Sequence, residues 1–479
     1  MFPPMFPSTF RRLSGLVVAV FAFLTTNAFA VQANRIASTV SNASRVQLQG
    51  TISNRAQQSQ DLGAAAPDTK LSGLMIRFSM TTAQAAQMQQ LQSDLQSPSS
   101  GRYHQWLTPE QYADQFGVST ADLAKVTSWL TAQGFKVNAA SRSRSFVGFS
   151  GTAAQAQSAF GTSIHSVLSE GETHFTNLSE PTIPAALSGV VGTVRGLNDF
   201  KPRPSAKLQQ VQSSAAGSPN FNFSTGNGLV PGDLQIIYDV SSLISSGTNG
   251  SGVNIGIVGQ SDVDLTPIAS FRSLTGLPAT TINVVTYGDD PGIFSDDTGE
   301  SQLDLQWAGA AAPNASIYFY TSTDVTSSLQ YAIDSNNVQI ISTSYGYCEA
   351  QNSSSFAAYY DALAQQANAQ GITILTAAGD SGAAGCANHG DPTVLSGVLS
   401  APTVPGSMTA VGGTEFNEGS ATSTYWNSSN GTNGVSAKSY IPEVAWNETS
   451  SSNGLLASGG GSSIYYTKPA WQKIGRAHV

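Results

Sequence analysis

Apolar positions in the N-terminal part of the chain change period several times. Leu74-Met75-Ile76-Arg77-Phe78, Phe135-Lys136-Val137 and Ser145-Phe146-Val147-Gly148-Phe149 are short β-rich runs that predict strands. Residues 82–95, 120–133 and 152–160 space their apolar side chains at helical intervals, and Ser119 is placed to cap the second of these helices. Around Pro109 a loop should turn into a helix, because proline suits a first turn. Residues from about 70 to 200 therefore predict an α+β unit. The stretch 31–67 ahead of it is rich in Ser, Asn, Gln and Ala and predicts a weakly ordered leading segment.

The pattern is different after residue 228. Predicted strands at 253–258, 316–320, 338–342, 372–375 and 408–411 alternate with helical stretches at 300–311, 327–334 and 356–369. Such alternation predicts an α/β unit, a parallel sheet with helices on both faces. Between the two units, Lys201-Pro202-Arg203-Pro204 opens a linker that runs through Ser213, Ser214, Gly217 and Asn222 to Gly228. A proteolytic cut would be tolerated there. At the N-terminus, Arg11 and Arg12, the apolar run 16–24 and Ala28-Phe29-Ala30 form a secretory signal pattern, and no later run approaches a membrane span.

Composition narrows the function. Only 11% of the 479 residues are charged and the net charge is −9, so nucleic acid and anionic membranes are poor partners. A sparsely charged acidic surface suits low pH, because few carboxylates there need to be protonated against a native-state preference. The two cysteines, Cys348 and Cys386, each follow a predicted core strand of an exported chain. A disulfide is the expectation and two buried thiols the alternative.

Two strand-end and helix motifs carry the chemistry. Glu300 and Asp304, in Gly299-Glu300-Ser301-Gln302-Leu303-Asp304, sit at i and i+4 of a predicted helix, so both carboxyls leave one face. Adjacent carboxyls cannot both ionise freely, and at acid pH such a pair can do a histidine's work on a serine nucleophile. Most pairs at this spacing are solvated helix faces, but here Leu303, Leu305, Trp307 and Ala308 surround the pair. The second motif, Ala377-Ala378-Gly379-Asp380-Ser381-Gly382, follows the run 372–375. Read alone, Asp380 is a turn or cap residue.

The motif order resembles the sedolisin (serine-carboxyl peptidase) family, of the kumamolisin type with an activation domain, acid proteases on a subtilisin-like fold. Subtilisins have Asn where this chain has Asp380, and that Asn donates to the oxyanion; a carboxyl can donate only when protonated. Tyr103-His104-Gln105-Trp106-Leu107-Thr108-Pro109-Glu110-Gln111-Tyr112 resembles a propeptide signature, and Ala310-Ala311-Ala312-Pro313-Asn314-Ala315 the family's helix exit. Ser344-Tyr345-Gly346 stands where such folds place a backbone rail for extended substrate. Val411-Gly412-Gly413-Thr414, Ser458-Gly459-Gly460-Gly461 and Pro469-Ala470-Trp471-Gln472 follow in family order.

The resemblance implies a subtilisin-like parallel sheet preceded by an α+β prodomain, with Glu300 as general base, Asp304 as its orienting partner and Asp380 as oxyanion donor. Ser344, Tyr345 and Gly346 would bind substrate. It also implies calcium and a nucleophile in a Gly-Thr-Ser element, both further along than Gln472; no metal ligand is expected within this chain. Gly161-Thr162-Ser163 lies in the wrong unit and reads as a loop, and His389 is too close to Asp380 to act as a subtilisin histidine. The ending Ile474-Gly475-Arg476-Ala477-His478-Val479 matches a translated sequencing adapter (ATC GGA AGA GCA CAC GTC), so the gene is expected to continue and the chain as printed to be inactive.

The expected layout is a signal peptide 1–30, a prodomain 31–200 ordered from about 70, a linker 201–228 with the activation site, an incomplete peptidase domain 229–473 and an artefact at 474–479. The expected partners are protein or peptide substrates and the chain's own prodomain, acting as inhibitor or chaperone on a secreted monomer. Nucleic acid is not expected as a partner, nor a membrane once the signal is removed. Two alternatives stay open: a non-catalytic binding protein on a protease scaffold, and a glycosidase with paired carboxylates, for which i, i+4 spacing on one helix is awkward.

Overall fold

The computed structural model describes residues 32–204, 221–223, 226–346, 348–387, 400, 403–452, 454–469 and 472. The signal pattern, linker residues 205–220, His389, Ala470, Trp471 and the ending 474–479 lie outside the described residues.

In the N-terminal unit, strands Lys136–Ala140, Phe146–Thr152, Lys70–Phe78 and Val191–Arg195 form an antiparallel sheet in that order. Strand alternation divides the central strand between two cores. Leu74, Ile76 and Phe78 face their own unit, packing with Val126, Trp129, Leu130 and Phe160 from its helices. Met75 faces the other way, with Phe146, into a cluster with Tyr320, Tyr359 and Leu363 of the second unit. Arg77 on that face is buried, donating to Ser145 Oγ (3.1 Å) and Gln330 Oε1 (3.3 Å). Helices Thr82–Gln96, Pro109–Phe116 and Ala153–Phe160 each start on a Thr-x-x-Gln capping box, which satisfies two otherwise orphaned amides per helix.

The leading segment differs from expectation. Strand Arg45–Gln47 pairs with Thr182–Pro184, helix Asn54–Gln58 follows, and Gln60–Ala64 pairs with Ile164–Ser169. These elements are polar and short, so their order comes from backbone pairing and two buried anchors, Ile36 and Leu48, which composition does not reveal.

The second unit holds a six-stranded parallel sheet. Its spatial order is Ile282–Thr286, Ser316–Thr321, Asn254–Gly259, Ile340–Thr343, Thr373–Ala377, Thr409–Val411, or 2-3-1-4-5-6 in chain order. On one face Ile255, Ile257, Ile317 and Phe319 pack with Ile268 and Leu305, from helices Thr266–Leu274 and Ser295–Ala311. On the other, Val258, Tyr320 and Ile341 pack with Leu329, Ile333, Leu363 and Ala367, from helices Val325–Ser335 and Ser354–Ala369. The expected parallel sheet with helices on both faces, preceded by an α+β unit, is the architecture of this chain. Among the described residues no helix is long and apolar enough to cross a membrane.

Candidate active site

Helix Ser295–Ala311 begins one turn before the glutamate that was expected to open it. Glu300 thus lies in the helix body, 4% exposed, one turn from Asp304 on the same face. The Asp304 Oδ1 accepts a 2.9 Å hydrogen bond from Ser344 Oγ, while its Oδ2 is buried without a hydrogen-bond partner among the described residues. Burial raises the Asp304 carboxyl from 3.8 to about 6, against a smaller lowering by the Ser344 hydrogen bond. Beside them Tyr345 is buried, and its phenol is held well above the usual range, first by burial and then by the nearby Asp297 charge, with Glu300 adding to it. The first two residues of the proposed rail therefore lie against the carboxyl face of this helix.

Asp297 joins that face one turn before Glu300, and sequence reasoning missed it. Its Oδ1 accepts from Gln260 Nε2 at 3.0 Å. Gln260 follows the end of strand Asn254–Gly259 and is 1% exposed. In sequence only its position just past a predicted strand's C-terminal end pointed to it, since such ends are where α/β sheets place their sites; its burial emerges only in the fold.

Asp380 stands past the end of strand Thr373–Ala377, on a loop whose backbone is pinned from the other side. Gly379 O accepts from Gly459 N (2.7 Å), Asp380 O from Ala457 N (2.9 Å), and Gly382 N donates to Ala457 O (3.0 Å). Gly379 has φ +96°, which needs glycine, and a Cβ on Gly459 would come within 2.1 Å of Ala378 O. These two glycines explain the motifs around them: they let segments 378–382 and 457–459 approach backbone to backbone. Burial raises the half-buried Asp380 carboxyl from 3.8 to about 6, so at acid pH it carries a proton it can donate. Cys348 and Cys386 are disulfide-bonded, which ties the end of the rail to the loop that follows Asp380.

The chain's own linker occupies the rail. Arg203 and Pro204 pair antiparallel with Gly346 and Tyr345 and run alongside the carboxyl-bearing helix. A cavity of about 420 Å³ lies between the two units here, and its walls include Lys201, Pro202, Phe294, Gly346, Gly379 and Asp380. Glu300 and Asp304 are not among its walls. The structure thus joins Asp304 directly to the rail and puts Asp380 in the cavity that the linker crosses. Among the described residues no group of three or more His, Cys, Asp or Glu could hold a metal ion.

Residues 57–200 match the family model of the pro-kumamolisin activation domain. Sedolisin from Pseudomonas sp. (strain 101) is 29% identical over 414 residues, covering 83% of this chain and 67% of that protein. Xanthomonalisin from Xanthomonas sp. (strain T-22) is 28% identical, covering 78% of this chain and 48% of that protein. Kumamolisin from Bacillus sp. (strain MN-32) is 24% identical, covering 78% of this chain and 64% of that protein. The chain is thus similar to sedolisin-family peptidases over most of its length, and its residues 57–200 to their activation domain. The residues that match the activation domain are those of the N-terminal α+β unit. The chain spans about half to two thirds of the lengths of these three relatives.

Proposed function

We propose that this chain is the precursor of a secreted, acid-acting serine-carboxyl endopeptidase, with Glu300 as general base, Asp304 as the carboxyl that orients it and Asp380 as oxyanion donor. One observation carries the reading: Ser344-Tyr345-Gly346 touches the carboxyl-bearing helix through Ser344 and Tyr345, while Tyr345 and Gly346 hold an extended peptide, the chain's own linker. A strand that binds one extended peptide through main-chain pairing can bind another in the same way.

The chemistry follows from the environment. In the acid range, where the Asp304 carboxyl still keeps its proton, the pair can hold one negative charge rather than two, which leaves Glu300 free to accept the serine proton. Asp380, protonated in the same range, supplies an O–H toward the developing oxyanion. The nucleophile is the part the reading takes from the family pattern, a serine in a Gly-Thr-Ser element downstream of Gln472; no serine of this chain is given that role. The linker on the rail supports a zymogen in which the activation domain blocks its own site. Two carboxyls one turn apart on one helix are poorly placed to flank a sugar ring, which disfavours the glycosidase alternative.

Acid incubation of the full gene product tests this. The active form should begin between Lys201 and Gly228 by N-terminal sequencing. An active form that still carried residues 57–200 would refute the zymogen reading.

A further inference from the structure

The linker changes hands between residues 200 and 201. Phe200 is held by the activation domain: the Arg55 guanidinium lies 4.7 Å from its ring centroid and the His174 ring packs at 5.1 Å. The next residues contact the peptidase unit instead. Lys201 Nζ sits 4.5 Å from the centroid of the Phe294 ring. Pro202 O accepts from Gln260 Nε2 at 2.9 Å, and Arg203 and Pro204 pair with the rail.

These peptidase-unit groups form a built surface. Gln260 is buried, and its Nε2 faces two acceptors, Pro202 O and Asp297 Oδ1, which fixes the amide's orientation. Phe294 is held by its backbone, donating from N to Ser261 Oγ (2.8 Å), next to Gln260 in sequence. The neighbouring contact from Asp262 N to Gly292 O (2.8 Å) fastens the same loop. Phe294 is 43% exposed and lines the cavity. Asp262 and Asp290 face each other on this pair of loops. An aromatic face favours a cation over a neutral side chain, and Lys201 supplies one here. A peptide entering in the linker's register would meet the same groups in the same order.

We propose that Phe294 and Gln260 form a substrate subsite beyond the rail. Phe294 takes a lysine or arginine side chain two residues ahead of the residue paired with Gly346, and Gln260 holds the carbonyl between them. The subsite rests on the peptidase reading above, and its test separates the two.

Hydrogen–deuterium exchange on the full chain at neutral pH reads the amides of residues 201, 203, 345 and 346 in Lys201→Met, Phe294→Leu, the double variant and Lys201→Arg. Each single loss should speed exchange about two- to fivefold, the range of an exposed cation–π contact. The double variant should add nothing to either single, and Lys201→Arg should match the parent. Unchanged exchange in both singles, or full additivity in the double, would overturn the subsite.

The second arm is cleavage of a random peptide pool by the acid-activated enzyme. Lysine and arginine should be enriched at one fixed position ahead of the cut, and the enrichment should vanish in Phe294→Leu. Cleavage without enrichment overturns the subsite and leaves the peptidase reading intact. No cleavage of any peptide overturns the peptidase reading, and the exchange coupling then decides the subsite on its own.

Discussion

Replacing Asp304 by Asn isolates what burial does to the carboxyl pair. Asp304 rises from 3.8 to about 6 on folding because its carboxyl leaves water, with only Ser344 to compensate. A group raised in the folded state binds its proton more tightly there than in the unfolded chain. Its contribution is therefore fully present below about pH 4 and is lost as pH climbs through about 6. The loss amounts to about 3 kcal/mol for a rise of this size. Asn keeps an oxygen for the Ser344 hydroxyl and never ionises, so Asp304→Asn removes this part of the pH dependence. Urea denaturation of parent and variant at pH 4, 5, 6 and 7 measures it. The variant should gain on the parent steadily with pH, by up to about 3 kcal/mol between pH 4 and 7. Any fixed cost of the extra N–H shifts all four values equally and leaves the trend intact. A difference that does not change with pH, or that shrinks as pH rises, would refute the placement of this carboxyl.

Other consequences concern the two loops around the rail. In the acid-activated enzyme, Asp380→Ala should lower kcat roughly a hundredfold, as loss of one oxyanion donor does elsewhere. Asp380→Asn should retain more activity and lose less of it above pH 6, because its donor does not titrate; equal, near-parent kcat in both would make Asp380 a turn residue. Replacing Cys348 and Cys386 together by Ala opens a link across 38 residues and should cost about 2–4 kcal/mol in chemical denaturation. Stability equal to the parent under reducing and oxidising conditions would contradict that link. Glu349 is fully buried and accepts from Ser463 Oγ (2.6 Å) and Ile464 N (2.7 Å), so Glu349→Ala should cost about 3 kcal/mol by leaving both donors unpaired. No measurable loss would show that water replaces the carboxylate there.

Much of the architecture was legible because apolar period and strand length agree in the core. Residues 253–258, 316–320 and 372–375 each read as short β-branched or aromatic runs, and each is a strand of the parallel sheet. Strand Ile282–Thr286 and helix Thr266–Leu274 were missed. The strand is an edge, mostly exposed, with no alternation to betray it, and Pro267 interrupts the helical pattern at its first turn. The leading segment was misread for a related reason: Arg45–Gln47 and Gln60–Ala64 are ordered by partners more than 100 residues away, which local composition cannot encode. At the site, the Glu300 and Asp304 spacing placed both residues on one helix face. The carboxyl of Asp297 and the amide of Gln260 belong to the same cluster, but each is an ordinary polar residue until the sheet and helix bring them together. The linker's place on the rail could not be read at all, because pairing of Arg203 with Gly346 is a purely main-chain event.

The central claim is that a buried carboxyl pair replaces histidine as the base. The most direct measurement is the pH dependence of kcat for cleavage of an internally quenched peptide by the acid-activated gene product, parent against Glu300→Gln. The parent should give a bell-shaped profile with its maximum below pH 6, limited on the acid side by the base and on the alkaline side by the oxyanion donor. Glu300→Gln should lose about a hundredfold or more at every pH, the typical worth of a general base. A parent optimum at neutral pH, or a Glu300→Gln variant with near-parent kcat, would contradict the account.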